Sequence, residues 1–130
     1  MIVVDTSALV SIFAEEHGFE LCLNRLLSDE PSLLPVSAYV EFLLISKLRE
    51  SRKGWIDGLL QSRIMALTPV EPEHGPIAAE AARRYGKGSG HPAQLNFGDC
   101  LTYSVAKHRD LPVLYIGNDF SRTDLRSALS

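Results

Sequence analysis

The sequence predicts an α/β fold, specifically a three-layer α/β/α sandwich with a mostly parallel central sheet. Short apolar runs at residues 1–4 and 112–116 have the composition of strands that are buried on both faces. Segments with helical periodicity lie between such runs, so strands and helices alternate along the chain. No internal repeat or interdomain linker interrupts the 130 residues. We therefore expect a single domain over residues 1–130.

The first half of the chain is predicted to pass twice between strand and helix. Pro35 interrupts the second strand, and Ser37 is the expected N-cap of the long helix that follows it. Gly54 is expected to end that helical pattern. The predicted elements are a strand (1–4), two helices (8–16 and 19–28), a short strand (33–36), a long helix (37–52) and a further helix (55–63).

The second half continues the alternation. Pro69 suggests that the third strand ends early or lies at a sheet edge, and Asn96 is the expected N-cap of the last long helix. Pro76 and Gly86 bracket the helix before it, with proline inside the start and glycine past the end. The predicted elements are a strand (65–70), a helix (76–85), a Gly-rich polar loop (87–95), a helix (97–108), a strand (112–116) and a tail of turn and short helix from 119.

Composition restricts the class of protein. The hydrophobic content of 45% and charged content of 22% are ordinary for a soluble globular domain. Neither a signal-peptide core nor an apolar run of membrane-spanning length occurs, so we expect a cytoplasmic protein. Cys22 and Cys100 lack metal-binding spacing and are predicted to be reduced, buried thiols. The net charge of −3 argues against a protein that coats nucleic acid, although it does not exclude a nuclease.

Four acidic residues, Asp5, Glu41, Asp99 and Asp119, are the main indication of function. Asp5 and Asp119 follow predicted strands, and ligands of α/β folds gather beyond the carboxyl ends of the strands. Two such charges at ~5 Å repel by roughly 3 kcal/mol at an effective dielectric of ~20. A cluster would therefore need protonation, salt bridges or a divalent cation. Mg²⁺ and Mn²⁺ prefer oxygen ligands, and this set suits phosphoryl chemistry better than a zinc hydrolase.

Each acidic residue also has an explanation that needs no metal. Asp5 has the position of a helix N-cap, and Asp99 that of a capping-box partner of Asn96. Asp119 lies in a sequence with the composition of a turn, where Asn118 or Asp124 are alternative donors. Glu41 is the hardest to explain in this way, because helical spacing aligns it with the apolar stripe of Ala38, Ile45 and Leu48. A carboxylate buried there must be paired, protonated or metal-bound.

Other catalytic motifs are absent from the sequence. The four histidines lack the HExxH spacing, no P-loop is present, and no G-x-S-x-G elbow occurs. The Gly86 to Gly90 stretch follows a predicted helix, which favours a flexible loop over a phosphate cradle. A phosphorylated receiver domain also clusters carboxylates at strand ends, but it needs a lysine after the last strand, where this chain has Ile116 and Gly117.

The motifs together resemble a known family, the PIN domains, and within it the VapC-type toxins of bacterial toxin–antitoxin pairs. The resemblance extends over VVDTSALV (3–10), SAYVEFLL (37–44), YGKGSGHPAQLNFGDCLTYSVAK (85–107) and LYIGNDFSRTDL (114–125), in the expected order. The third motif is the most specific. This resemblance implies a PIN-like fold and a Mg²⁺- or Mn²⁺-dependent endoribonuclease that cleaves tRNA or rRNA.

The resemblance also implies roles for individual residues. Asp5, Glu41 and Asp99 match the first three acidic positions of the family, and Asp119 is chosen for the fourth. Ile116 stands where close members often carry lysine, which removes a possible phosphate contact. The implied partners are a VapB-type antitoxin that occupies the active-site groove and a second copy in a homodimer. The expected substrate contacts are Thr6, Ser7, Asn118, Arg83 and Lys87. The alternative is a PIN-like module that binds RNA or protein without cleaving.

Overall fold

A computed structural model of the chain describes residues 1–28, 31–45 and 49–129, without the side chain of Arg49. Four strands alternate with six α-helices in this part of the chain. The strands are β1 (Val3–Val4), β2 (Ser32–Pro35), β3 (Met65–Thr68) and β4 (Val113–Leu114). The helices are α1 (Thr6–Phe13), α2 (Phe19–Ser28), α3 (Val36–Leu44), α4 (Arg49–Gln61), α5 (His74–Tyr85) and α6 (Phe97–Arg109), followed by a 3-10 helix, Phe120–Arg122.

The four described strands form one parallel sheet in the order β3-β2-β1-β4. Val3 in β1 pairs with Leu33 on one side and with Val113 on the other. Beyond β4, a bridge between Val113 and Ser127 adds the chain's end to this side of the sheet. β3 is an edge strand, as Pro69 suggested. The predicted parallel sheet is therefore confirmed.

Alternation of side chains along β1 separates the helices into two layers. Ile2 and Val4 pack into a core with buried residues of α1 to α4, including Phe42. Val3 faces the other way and packs with Val105 of α6. Because successive strand residues point to opposite faces, an apolar run is needed to bury both sides of the sheet. This arrangement is the predicted α/β/α sandwich.

Several predicted boundaries are wrong. β2 covers Ser32–Pro35 instead of 33–36, and α1 covers Thr6–Phe13 instead of 8–16. α3 begins at Val36 instead of after Ser37, with Pro35 at its N-cap position and no side-chain cap. Gly54 lies inside α4 and does not end a helix. Glycine costs only about 1 kcal/mol in a helix interior, and burial of Ile56 in the core offsets that cost. The predicted helix over 37–52 ends at Leu44, and its residues 46–48 lie outside the described part of the chain.

The two cysteines and the lengths of the helices bear on the remaining predictions. Cys22 and Cys100 are both free and buried, as predicted, and burial raises the pKa of each thiol. Within the described ranges, no helix combines the length and apolar character needed to cross a bilayer.

Candidate active site

Asp5 links the end of β1 to the start of α1. Its extended backbone, with φ −91° and ψ 155°, makes it the N-cap of α1. Its Oδ2 accepts hydrogen bonds from the Ser7 amide at 3.0 Å and the Ser7 hydroxyl at 2.6 Å. The Ser7 Oγ in turn accepts from the amide of Ile116 at 3.0 Å. Ser7 therefore joins the chain after β4 to the carboxylate after β1.

The second carboxylate oxygen of Asp5 has no hydrogen-bond partner. Asp5 is 4% exposed, and its Oδ1 is buried with no hydrogen-bond partner. Burial raises the pKa of Asp5, and the charge of Glu41 adds to that rise, although the hydrogen bonds from Ser7 oppose it. An unpaired buried carboxylate oxygen is costly. It needs a proton or a cation, and a capping role alone does not supply either.

Glu41 enters the site from α3. Its Oε1 accepts a hydrogen bond from the Thr6 hydroxyl at 2.6 Å. The prediction that Glu41 lies in a buried apolar stripe is wrong in part: Ala38 is buried, but Ile45 is 62% exposed. Leu48 lies outside the described residues. α3 ends at Leu44, so the stripe does not continue into the core, and Glu41 is half-buried beside a cavity.

Asp99 belongs to the first turn of α6. Its Oδ2 accepts from the Asn96 amide at 3.0 Å, and the Asn96 Oδ1 accepts from the Asp99 amide at 2.8 Å, which completes the predicted capping box. The residue is 7% exposed. Burial raises the pKa of Asp99 to about 7, the Asn96 hydrogen bond opposes the rise, and the charges of Asp5, Asp119 and Glu41 add to it. The carboxylate therefore points inward, as Thr102 and Tyr103, also buried, had indicated.

Asp119 approaches from the segment after β4. It precedes the 3-10 helix and makes no side-chain capping bond. Asp124 was the alternative source of a ligand oxygen. Its carboxylate instead accepts a hydrogen bond from the Tyr103 hydroxyl at 2.6 Å and forms a salt bridge with Lys107 at 2.7 Å. Asn118 is exposed and does not line the cavity described below. Of the three alternatives, only Asp119 is brought to the other carboxylates.

One cavity of about 370 Å³ joins these residues. Five carboxylates contribute to its lining, and among the described residues no lysine or arginine does. Glu16, which sequence reasoning did not single out, is the fifth; nothing in its local pattern distinguishes it from a solvated helix end. The lining residues are Asp5, Thr6, Ser7, Val10, Glu16, Glu41, Ile45, Asn96, Asp99, Ile116 and Asp119.

The donor set fits a hard divalent cation that retains part of its water shell. In the described ranges, no three His, Cys, Asp or Glu side chains are close enough together to form a metal site by themselves. Mg²⁺ commonly binds through one or two carboxylates and keeps several waters, so a fully assembled protein cage is not required. The unpaired Oδ1 of Asp5 and the mutual repulsion at Asp99 both favour a cation at this position.

The predicted RNA contacts divide into two groups. Thr6 and Ser7 line the cavity, but their hydroxyl hydrogens are directed to Glu41 and Asp5 and so are engaged within the protein. Arg83 pairs with Glu80 on the exposed face of α5, and Lys87 lies beside a different cavity. The structure does not bring Arg83 or Lys87 to the carboxylates, and their contact with RNA stays a prediction.

A family model described as the PIN domain matches residues 2–125, and the chain therefore belongs to the PIN-domain family. Relatives that align over nearly the whole chain show to which group of PIN domains it is similar. Ribonuclease VapC42 of Mycobacterium tuberculosis is 37% identical over 128 residues, which covers 97% of this chain and 98% of the relative.

Within the family the chain is a VapC-type member. A VapC ribonuclease of Rhizobium meliloti is 42% identical over an alignment of 139 residues, which covers 94% of this chain and 97% of the relative. The solved structure of VapC20 from Mycobacterium tuberculosis, a sarcin-ricin loop cleaving toxin, matches with a TM-score of 0.76 at 15% identity and 96% coverage of both chains. VapBC2 from Rickettsia felis, bound to a promoter DNA fragment, matches with a TM-score of 0.73 at 16% identity, covering 98% of this chain and 96% of that one. These two matches show the shared fold.

Proposed function

We propose that this protein is a Mg²⁺- or Mn²⁺-dependent endoribonuclease and the toxin of a type II toxin–antitoxin pair. The observation that carries the proposal is a cavity lined by five carboxylates, with no basic residue from the described part of the chain and with an unpaired buried oxygen on Asp5. A site that only bound phosphates would be weakened by this negative charge. With a divalent cation present, the same charge becomes the ligand set.

Asp5 and Asp99 would hold the ion, because these two are the buried carboxylates of the cavity. Glu41 and Asp119, which are less buried, would hold its waters or a second ion. When bound, such an ion lowers the pKa of a coordinated water and stabilises charge on phosphoryl oxygens. The Asp5 Oδ2 accepts a hydrogen bond from Ser7, and the Asp99 Oδ2 accepts one from the Asn96 amide. Both carboxylates are therefore fixed in orientation before any substrate arrives.

The proposed substrate is structured RNA, tRNA or rRNA. Relatives at 37% and 42% identity over nearly the whole chain are named as ribonucleases. Phosphodiester hydrolysis is also the chemistry that a carboxylate-bound Mg²⁺ serves. The cavity is open at the surface and bordered by apolar residues such as Ile45 and Ile116, which leaves room for a backbone phosphate.

The proposed partners are a VapB-type antitoxin and a second copy of the chain. An apolar stripe at helical spacing, Val36, Val40 and Leu44, is exposed on α3, and Phe97 at the start of α6 is 82% exposed. Val40, Leu44 and Phe97 border a groove that continues to Glu41. Exposed apolar patches next to an active site are typical of protein interfaces. Toxin–antitoxin complexes are also among the similar solved structures.

The experiment is cleavage of total tRNA and of ribosomal RNA by the purified chain. We expect cleavage with Mg²⁺ or Mn²⁺, none with EDTA, and recovery when metal is restored. Asp99→Asn should lower the rate by at least about 100-fold while the protein stays folded, because it removes a charge that the ion needs. Asp110→Asn, at an exposed carboxylate that does not line the cavity, is the matched control. Full activity in Asp99→Asn, or RNA binding without cleavage by the unmodified chain, would contradict the proposal.

A further inference from the structure

Gly98, in the first turn of α6, touches the carboxylate of Glu41. A Cβ built on Gly98 would overlap the Glu41 Oε2 and would lie 2.9 Å from its Cδ and 3.2 Å from its Oε1. No described backbone feature requires glycine here, because Gly98 is not among the positive-φ residues. The absent side chain is therefore needed for space and not for conformation.

The other side of the same carboxylate is held by Thr6. The Thr6 hydroxyl donates to the Glu41 Oε1 at 2.6 Å, and Thr6 is itself buried in the first turn of α1. The carboxylate thus lies between a hydrogen-bond donor on α1 and the bare backbone of α6. The first turn of a helix carries partial positive charge on its free amides, which favours an anion at that place.

We propose that Gly98 and Thr6 are positioning residues that fix the Glu41 carboxylate at the cavity, Gly98 by its lack of a side chain and Thr6 by its hydrogen bond. The inference rests on the proposed nuclease function. Neither residue touches the reacting atoms; both act through Glu41. Substitution of Gly98 should move the carboxylate instead of the helix, because the end of a flexible glutamate yields more easily than two packed backbones.

The test compares Gly98→Ala with a matched control, Gly75→Ala. Gly75 is the second residue of α5, as Gly98 is of α6, and a Cβ on Gly75 meets nothing within 4 Å. We expect Gly75→Ala to keep the cleavage rate within about 2-fold, since it lies outside the cavity lining. Gly98→Ala should lose about 100-fold, the order of loss that a 1 Å misplacement in an active site can produce. Both variants should unfold at or above the temperature of the unmodified protein.

Two further measurements separate positioning from a general structural effect. Binding of Mn²⁺ alone, followed by the electron paramagnetic resonance signal of the free ion, should weaken in Gly98→Ala and not in Gly75→Ala. In a Glu41→Asp background, whose shorter side chain withdraws from position 98, Gly98→Ala should cost less than about 3-fold. Equal losses in the two backgrounds would overturn the inference.

Thr6→Val provides a second, independent variant. It preserves side-chain shape and removes the donor to Glu41, and we expect about a 10-fold loss of rate. A rate unchanged in both Gly98→Ala and Thr6→Val, in a chain that cleaves RNA and loses activity in Asp99→Asn, would refute the positioning role alone. Absence of any metal-dependent cleavage by the unmodified chain would refute the proposed function, so the two failures are distinguishable.

Discussion

Replacing Asp99 by asparagine should stabilise the protein in the absence of metal. The pKa of Asp99 is raised from 3.8 to about 7 by burial and by three facing carboxylates, so its ionised form is unfavourable in the fold. The Asn96 amide donates a hydrogen bond to Asp99 at 3.0 Å. Asparagine has nearly the same shape as aspartate, and its side-chain oxygen can accept the same hydrogen bond. The substitution therefore removes the repelling charge and keeps the capping box.

The raised pKa gives an upper limit to the effect. The interval from 3.8 to about 7 is about 3 pKa units, and each unit corresponds to 1.36 kcal/mol, which gives about 4 kcal/mol for ionising Asp99 in the metal-free fold. The cavity is open to solvent, and water entering it screens the facing charges. We therefore expect a gain of about 2 kcal/mol in the free energy of unfolding above pH 7.

The gain should depend on pH with a definite sign. Between pH 3.8 and about 7, the folded state of the unmodified protein binds a proton at Asp99 that the unfolded state has released. Stability from this group is thus full below pH 3.8 and is lost as the pH rises through about 7. Asp99→Asn lacks the titrating group, so its advantage should be largest at pH 8 and less than half as large at pH 5.

Urea unfolding in EDTA at pH 5 and pH 8 measures this difference. Asp110→Asn is the control, because the Asp110 side chain is 95% exposed and its neutralisation should change stability by less than about 0.5 kcal/mol. Adding Mn²⁺ at pH 8 should stabilise the unmodified protein more than Asp99→Asn, by preferential binding to the folded state. A variant less stable than the unmodified protein at pH 8 in EDTA, or a gain equal at both pH values, would refute the electrostatic reasoning.

Three further substitutions test a hydrogen bond, a buried ring and an exposed apolar side chain around the site. Tyr103→Phe removes the hydrogen bond to Asp124 at 2.6 Å and should lower the free energy of unfolding by about 1–2 kcal/mol in urea titration; no change would contradict this. Phe120→Ala, at a buried ring beside Asp119, should cost about 3–4 kcal/mol and weaken Mn²⁺ binding, and a cost below about 1 kcal/mol would show that the ring is not essential for packing. Phe97→Ser should leave stability within about 0.5 kcal/mol but weaken binding of an antitoxin about 10-fold in calorimetry; unchanged affinity would place the interface elsewhere.

The fold could be predicted because its local signals and its tertiary structure agree. The apolar runs that end at Val4 and begin before Val113 are strands, since only burial on both faces accommodates them. The Gly54 prediction failed because glycine's helix penalty is small beside the burial of a neighbouring residue. The Ser37 prediction failed because the helix starts directly after Pro35, whose φ of −57° leads into the helix without a side-chain cap.

The site was harder to predict wherever its residues act through contacts distant in sequence. The four acidic residues singled out from the sequence all lie in the cavity lining, although Asp119 was chosen through the family resemblance and the buried stripe expected at Glu41 is only partly present. The sequence did not show that the Thr6 hydroxyl donates a hydrogen bond to Glu41, 35 residues away, because such a contact depends on how α1 and α3 pack. Gly98 was missed for the same reason. Its role depends on an empty volume, and residue spacing carries no information about that volume until two helices are placed side by side.

The capping and site roles of the buried carboxylates are complementary. Asp5 caps α1 with Oδ2, which accepts from Ser7, and its Oδ1 stays unpaired. Asp99 completes its capping box with Oδ2 alone. A capping aspartate needs one oxygen, so the other is free to face a cavity. Helices that begin at the carboxyl edge of a parallel sheet therefore place preoriented carboxylates together, and the hydrogen bonds that stabilise each helix start also hold the proposed metal ligands.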